Sequence, residues 1–375
     1  MRPFDNPFVA FAHRERVPAS AARLTPLSDF GPNPGNLLAH AFIPEELPVE
    51  APLVVVLHGC TQNALDYDRG SGWSRLAEKQ GFALLVPEQQ RANNHNLCFN
   101  WFRPGDARRG RGEAASIRQM VAHLVARHGL DERRVYVTGL SAGGAMTSVM
   151  LSAYPDVFAG GAIIAGLPFA TANSIPEALD RMRGNAIPAR EELAAIVADS
   201  SDHDGPWPTL SVWHGTADSI VAIANADAVV DQWTALQGLS ASPTVTDMID
   251  GQRREVWQDK AGRVLIERVT VAGLGHGTPL ATTGDDASGT PGAHMLEAGI
   301  NSTRHIARFW GLLDADRIRA VRGPAKAAAA TPVRPAPKAD VSRVPVFVRR
   351  LPLPRKVAGV AEVIDKALRS AGLLR

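Results

Sequence analysis

The chain has 375 residues, of which 45% are hydrophobic, enough for one large domain with a sizeable core and appendages. No apolar run approaches the roughly 20 residues that cross a bilayer, so the sequence predicts a soluble globular protein without a transmembrane segment. Residues 323–375 carry eleven Lys or Arg against three Asp or Glu, so the net charge of +2 conceals a mildly acidic body, whose scattered arginines exclude an extended nucleic-acid surface.

The amino terminus carries an early acid and two prolines, and it has no apolar segment behind a basic start. This start predicts no cleavable secretory signal, which favours the cytoplasm. Residues 1–35 are weakly periodic and contain Pro, Asn and Gly, so we expect an irregular lead-in there.

From residue 36 onward, short apolar strands alternate with helical patterns. The run at 52–57 is typical of a central strand buried on both faces, and the run at 37–44 predicts an early edge strand. The βαβ spacing predicts parallel pairing, so we expect an α/β fold with a mostly parallel central sheet and helices on both faces, spanning residues 36–322. The other predicted strands are 82–87, 135–138, 161–164, 210–213 and 263–271, and the predicted helices are 73–80, 113–128, 145–151, 224–236 and 300–313.

Residues 167–208 interrupt this alternation. Five prolines punctuate the segment, and only 176–182 and 189–198 have a helical pattern. A segment of this length between two core strands predicts an insertion over the site, acting as a lid or a substrate wall.

The composition changes again after residue 322. Residues 323–350 form a basic linker rich in Pro and Ala, and the apolar residues of 351–375 recur at the spacing of one amphipathic helix. Two interpretations remain open: a tail that stays solvated or docks on its own domain, and a segment that contacts a storage granule or a membrane surface.

The candidate nucleophile lies in the sequence Gly139-Leu140-Ser141-Ala142-Gly143, between a predicted strand and a predicted helix. It fits the G-x-S-x-G nucleophile elbow, in which the glycines allow a strained turn that holds the serine hydroxyl above the sheet edge. The pattern alone also fits a glycine-rich helix entry. The strand before it and the helix after it favour Ser141 as a nucleophile.

A serine nucleophile needs a base to take its proton, and the base needs an acid to fix its tautomer. Asp218 and His276 follow Ser141 in the chain order of α/β-hydrolases, each directly after a late strand. We therefore predict Asp218 as the acid and His276 as the base. Asp204, in the insertion, and Asp231, within a helix, are weaker candidates for the acid, and Asp218 would otherwise cap a turn.

The oxyanion of a tetrahedral intermediate needs two preorganised N–H donors. We predict one at Ala142, the residue after the nucleophile, and the other in the turn after strand 52–57, from Gly59 or Cys60. His58 in the same turn is expected to hold the loop rather than act as a base.

Further stretches, taken together, carry a resemblance to a known family. They resemble the polyhydroxybutyrate depolymerase family of esterases, which includes feruloyl and acetylxylan esterases, from about residue 32 to residue 313. The resemblance implies an α/β-hydrolase fold, carboxylic-ester hydrolysis, the family's triad positions at Ser141, Asp218 and His276, and its oxyanion position at Cys60. The matching stretches are residues 57–62, 96–102, 111–113, 139–144 and 156–160.

The resemblance favours poly(3-hydroxybutyrate) or its oligomers as the ester substrate, with feruloyl or acetylxylan esters as the alternative. Less favoured are a prolyl-oligopeptidase-like peptidase, because no propeller-like repeats precede the domain, and a granule-binding protein whose body only positions the basic tail. A serine esterase requires no metal or organic cofactor. Family members are commonly exported, so the resemblance suggests an extracellular location where the amino terminus suggests the cytoplasm.

The two cysteines, Cys60 and Cys98, are too few for a disulfide scaffold, and their spacing fits no zinc motif. Each follows a strand of the predicted parallel sheet, so both are expected at its carboxyl edge. A disulfide between them would brace the oxyanion loop. In a reducing cytosol they would instead be free thiols.

Overall fold

A ten-stranded sheet forms the centre of the protein, and its computed structural model describes residues 23–284 and 287–313. The strands are β1 (Thr25–Pro26), β2 (Leu38–Phe42), β3 (Leu53–Leu57), β4 (Ala83–Glu88), β5 (Val135–Leu140), β6 (Gly160–Ile164), β7 (Thr209–Gly215), β8 (Val245–Ile249), β9 (Gln252–Gln258) and β10 (Val264–Val271). They lie in the order β1-β2-β4-β3-β5-β6-β7-β10-β9-β8. A separate parallel ribbon pairs β11 (Thr278–Leu280) with β12 (Met295–Glu297).

The sheet is parallel through its middle and antiparallel at both ends. Strands β4, β3, β5, β6, β7 and β10 pair in parallel. Strands β1 and β2 add antiparallel to one side of this block, and β9 and β8 to the other. The carboxyl ends of the six parallel strands therefore meet at one edge, where loops can bring side chains together.

Helices cover both faces of the sheet, as predicted. They are α1 (Ala64–Ser71), α2 (Trp73–Gln80), α3 (Gly112–His128), α4 (Ala142–Ala153), α5 (Ile175–Met182), α6 (Arg190–Ala198), α7 (Ala224–Leu236) and α8 (Ser302–Phe309). In β3, Leu53 and Val55 join the apolar core beneath α3, α4 and α7, and Val54 and Val56 join the core beneath α1, α2 and α8. Both faces of β3 are thus buried, which explains its continuous apolar sequence.

Most predicted elements agree with the structure. The helices predicted at 73–80 and 224–236 have those bounds, and the predicted strands are present with small shifts at their ends. The prediction that the strand at 37–44 lies at the edge of the sheet is wrong. This strand is β2, and β1 pairs with its outer side. The closing helix is shorter than predicted: the Asn301 side chain caps its start by accepting a hydrogen bond from Arg304 N at 3.1 Å, and the helix ends before Gly311, whose φ is +69°.

The insertion at 167–208 contains α5 and α6, close to the two predicted helical segments. It is fastened to α7 through Gln232, whose side chain accepts a hydrogen bond from Phe169 N at 2.8 Å and donates one to Leu193 O at 3.0 Å. Arg181 O and Met182 O of α5 also accept hydrogen bonds from the Asn225 side chain and the Ala222 N–H. The insertion therefore packs beside the loop that follows β7.

The predicted linker at 323–350 and the predicted amphipathic helix at 351–375 lie outside the described residues, as does most of the lead-in. Among the helices that the structure describes, none has the length and apolar character needed to cross a bilayer.

Candidate active site

Ser141 lies in a strained turn between β5 and α4. Its backbone adopts φ 57° and ψ −117°, a conformation that side chains other than glycine rarely take. Two hydrogen bonds hold it there: Ser141 N donates to Ile164 O at 2.9 Å, and Ser141 O accepts from Ala145 N at 2.8 Å. Strain of this kind persists only where the surroundings enforce it, and it is concentrated at functional sites.

The glycines of the G-x-S-x-G sequence are required because three backbone segments approach each other here. A Cβ atom on Gly139 would lie 2.4 Å from the carbonyl of Gly143, and one on Gly143 would lie 2.3 Å from Leu57 O. Neither position can carry a side chain without moving backbone. The close approach places the end of β3, and with it the turn at Gly59 and Cys60, against the start of α4.

Asp218 and His276 are in direct contact. His276 Nδ1 donates to Asp218 Oδ2 at 2.7 Å, and both side chains are buried. Asp218 Oδ1 accepts hydrogen bonds from Ile220 N and Val221 N, each at 2.9 Å. Burial alone would raise the pKa of Asp218, but the neighbouring His214 side chain and the hydrogen bond from His276 bring that pKa well below its usual range. Asp218 is therefore an anion that fixes the orientation of the His276 ring.

Two neighbouring segments hold the loop that carries His276. On one side, Leu274 O accepts from Ala217 N at 3.0 Å, which ties the loop to the turn that contains Asp218. On the other side, His294 Nδ1 donates to His276 O at 3.0 Å, and the two rings meet edge to face at 5.7 Å. No motif distinguishes His294 in the sequence, because its role depends on the fold of the β11–β12 ribbon.

Ser141, Asp218 and His276 follow β5, β7 and β10, so they lie at the same edge of the sheet. Backbone hydrogen bonds from Ser141 N to Ile164 O and from Ala165 N to Trp213 O connect these strand ends. The structure joins Asp218 to His276. Among the described residues Ser141 Oγ makes no hydrogen bond, so the serine–histidine hydrogen bond of a triad is not formed here. Such contacts often tighten only when substrate binds.

The turn after β3 corrects one predicted oxyanion donor. Gly59 N donates to Gln62 Oε1 at 2.8 Å, so this N–H is not available to an oxyanion. The N–H groups of Cys60 and Ala142 have no acceptor in the described part of the chain. These two donors are the pair that remains for an oxyanion hole.

Cys60 and Cys98 form a disulfide, with their Cα atoms 4.2 Å apart. The two loops are also joined by a hydrogen bond from Thr61 N to Asn96 O at 2.7 Å. Thr61 and Leu97, which flank the two cysteines, both have positive φ angles. The turn that carries Cys60 is thus fastened to the loop that follows β4.

The family described as Esterase PHB depolymerase matches residues 39–258. Poly(3-hydroxyalkanoate) depolymerase C of Paucimonas lemoignei is 45% identical over 301 residues, which cover 79% of this chain and 72% of that protein. Feruloyl esterase B of Talaromyces funiculosus is 31% identical over 268 residues, which cover 69% of this chain and 74% of that protein.

A solved structure of acetyl xylan esterase from Aspergillus awamori aligns with a TM-score of 0.66 at 23% identity, covering 77% of this chain and 99% of that one. This likeness shows the α/β-hydrolase fold. The family match extends over more than half of the chain, and the 45% identity extends further still. The chain therefore belongs to the esterase PHB depolymerase family and is a carboxylic-ester hydrolase.

Proposed function

We propose that the protein hydrolyses poly(3-hydroxybutyrate) or its oligomers through an acyl-enzyme formed on Ser141. The choice of polymer is supported by the relative named poly(3-hydroxyalkanoate) depolymerase C, to which most of this chain aligns. The catalytic assignment is supported by the contact of 2.7 Å between His276 and a buried, ionised Asp218 at the same sheet edge as the strained serine.

In the proposed reaction, Ser141 Oγ attacks the ester carbonyl while His276 Nε2 takes the hydroxyl proton. Asp218 accepts the hydrogen bond from Nδ1, which leaves Nε2 free to act as a base and stabilises the imidazolium ion. His276 then protonates the leaving alcohol, and a water molecule repeats the cycle on the acyl-enzyme. The N–H groups of Cys60 and Ala142 bind the oxyanion, and each such donor typically accelerates acyl transfer by about 10²–10³-fold.

The second candidate substrate class comprises feruloyl or acetyl esters of plant polysaccharides. It is supported by the relatives named feruloyl esterase B and acetyl xylan esterase. Both classes use the same triad and the same oxyanion donors. The two classes differ only in the acyl and alcohol groups of the ester, so they are distinguished by testing substrates rather than by mutating the catalytic residues.

The deciding experiment incubates wild-type protein and the Ser141→Ala variant with amorphous poly(3-hydroxybutyrate) and identifies the soluble products by mass spectrometry. We expect 3-hydroxybutyrate monomers or oligomers from the wild type alone. Ser152→Ala is the matched control, because Ser152 is on α4, the helix that directly follows Ser141, and its buried hydroxyl has no partner among the described residues.

Parallel reactions with methyl ferulate and acetylated xylan distinguish the second substrate class. Cleavage of either ester without release of hydroxybutyrate would contradict the polyester as substrate and would leave the assignment of the catalytic residues unchanged. If Ser141→Ala retained turnover on any of these esters, Ser141 would not be the nucleophile.

A further inference from the structure

Four buried polar residues lie behind the oxyanion turn and take no part in the proposed reaction steps. His58, Gln89, Asn100 and Glu113 are each at most 2% exposed. A buried polar group costs free energy unless it is hydrogen-bonded, and a buried carboxyl costs most. Their contacts therefore indicate what the cluster holds in place.

Glu113 is the centre of the cluster. Its carboxyl group accepts hydrogen bonds from Gln89 Nε2 and Asn100 Nδ2, both at 2.6 Å, and from Asn100 N at 2.7 Å. Gln89 Nε2 also donates to Cys98 O at 3.1 Å. The carboxyl group thus anchors the loop that carries Cys98, and through the disulfide it anchors the sulfur of Cys60.

A second connection runs through His58 to the backbone of the same turn. Gln89 N donates to His58 Nε2 at 3.1 Å, so the ring proton must lie on Nδ1, which donates to Gly59 O at 2.7 Å. Burial lowers the pKa of His58 to about 4, so the ring is neutral at physiological pH.

The hydrogen bond to Gly59 O determines where the next N–H points. Because the peptide unit is planar and trans, its carbonyl and its N–H point in opposite directions. Holding Gly59 O against the buried His58 ring therefore turns Cys60 N–H away from the interior. Gln62 N donates to the same carbonyl at 3.3 Å, which further restricts rotation of this peptide.

We propose that Glu113, acting through Gln89 and His58, is a positioning residue that aims the Cys60 N–H at the substrate oxyanion. The two connections converge on Cys60, one on its peptide group and one on its sulfur. This inference rests on the proposed roles of Ser141 and Cys60.

Two substitutions of His58 separate this role from simple packing. His58→Asn keeps a donor near the Nδ1 position for Gly59 O but loses the acceptor for Gln89 N. His58→Gln keeps an acceptor near the Nε2 position but loses the donor to Gly59 O. Both remove the ring contact with Phe99. If His58 only fills space, His58→Asn, which leaves the larger cavity, should be impaired at least as much as His58→Gln.

We expect His58→Gln to lower kcat on a soluble short-chain ester by about 10²-fold, as expected for a misplaced oxyanion donor, with KM nearly unchanged. His58→Asn should retain most of kcat. Equal losses in kcat, or a greater loss in His58→Asn, would overturn the proposal. An inactive wild type or an active Ser141→Ala variant would instead refute the proposed function.

Glu113→Gln tests whether the Glu113 carboxyl group positions the Cys60 turn. This variant also tests the proposal if the His58 variants do not fold. The amide places an N–H group against the donors of Gln89 and Asn100, so kcat should fall at least about tenfold with little change in KM. The matched control is Asp68→Asn, because Asp68 also has a buried carboxyl group, which accepts hydrogen bonds from Ser74 N and Oγ and lies outside the cluster. Both variants should lower Tm. Unchanged kcat in Glu113→Gln, or an equal fall in Asp68→Asn, would show that Glu113 only stabilises the fold.

Discussion

At the scale of single residues, the acid of the candidate triad is fixed from several directions. Both oxygens of Asp218 are hydrogen-bonded, Oδ1 to two backbone N–H groups and Oδ2 to His276. His214 Nε2 lies 3.4 Å from Oδ2 and donates to Val221 O at 2.9 Å, which braces the same loop. The carboxylate therefore cannot rotate without breaking several contacts, and this rigidity keeps the His276 ring in one orientation.

Asp218→Asn should lower kcat by about 10³–10⁴-fold with little change in KM, because an amide N–H facing His276 Nδ1 favours the wrong imidazole tautomer. Asp204→Asn is the comparison, since Asp204 is one of the two weaker candidates for the acid and is exposed on the insertion. Steady-state kinetics on a soluble ester would check both variants. Full activity of Asp218→Asn together with loss in Asp204→Asn would reverse the assignment.

The sequence predicted Asp218 and His276 because each follows a late strand in the expected chain order, a signal that is local. The roles of His214, His294 and Gln62 were not predicted, because they depend on contacts between distant or tightly turned segments. The same limit explains the error at Gly59. Its place in the turn after β3 suggested a free N–H, and only the fold of Gln62 back onto that turn shows otherwise.

At the scale of elements, the central strands were predictable because burial on both faces leaves an unbroken apolar sequence, as in β3. Helix α1 was missed because Asp66, Asp68 and Arg69 obscure its apolar face; its start is fixed by Asn63, whose side chain accepts from Asp66 N at 2.8 Å. The β8–β9 hairpin was missed for a related reason. Strand β9 is rich in charge, and β8 is mostly exposed. Arg254 on β9 forms ion pairs with Asp247 on β8 and Glu267 on β10.

The disulfide links two loops that belong to different βα units. It closes a segment with a sequence separation of 38 residues. In the chain-entropy description this constraint stabilises the folded protein by up to about 4 kcal/mol. The double variant Cys60→Ser/Cys98→Ser should therefore have a free energy of unfolding lower by about 2–4 kcal/mol in urea titrations.

Treating the wild type with a reductant should reproduce the stability of this double variant, and the reductant should leave the variant itself unchanged. The intact mass of the non-reduced wild type should be lower than that of the reduced chain by two hydrogen atoms. If the non-reduced and reduced chains had equal masses, Cys60 and Cys98 would not be joined by a disulfide.

At the scale of the whole molecule, two buried titratable groups act on stability in opposite directions. Burial raises the pKa of Glu113 from 4.5 to about 7 and lowers the pKa of His58 from 6.5 to about 4. Between pH 4.5 and 7 the folded state keeps a proton on Glu113 that the unfolded chain releases, so stability falls as the pH rises. Between pH 6.5 and 4 His58 binds a proton in the unfolded chain but not in the folded protein, so stability falls as the pH drops.

Each group changes the free energy of unfolding by about 3 kcal/mol across the pH range between its folded and unfolded pKa values. Because the two changes have opposite signs, they largely cancel in the wild type. Glu113→Gln removes one of them. Relative to that of the wild type, the free energy of unfolding of this variant should therefore increase by about 3 kcal/mol between pH 4.5 and pH 7.5, which means that the variant becomes relatively more stable. Urea titrations of both proteins at the two pH values measure this difference. A difference that does not change with pH would mean that Glu113 titrates alike in the folded and unfolded chains, and that its three hydrogen-bond donors offset the cost of burying its charge.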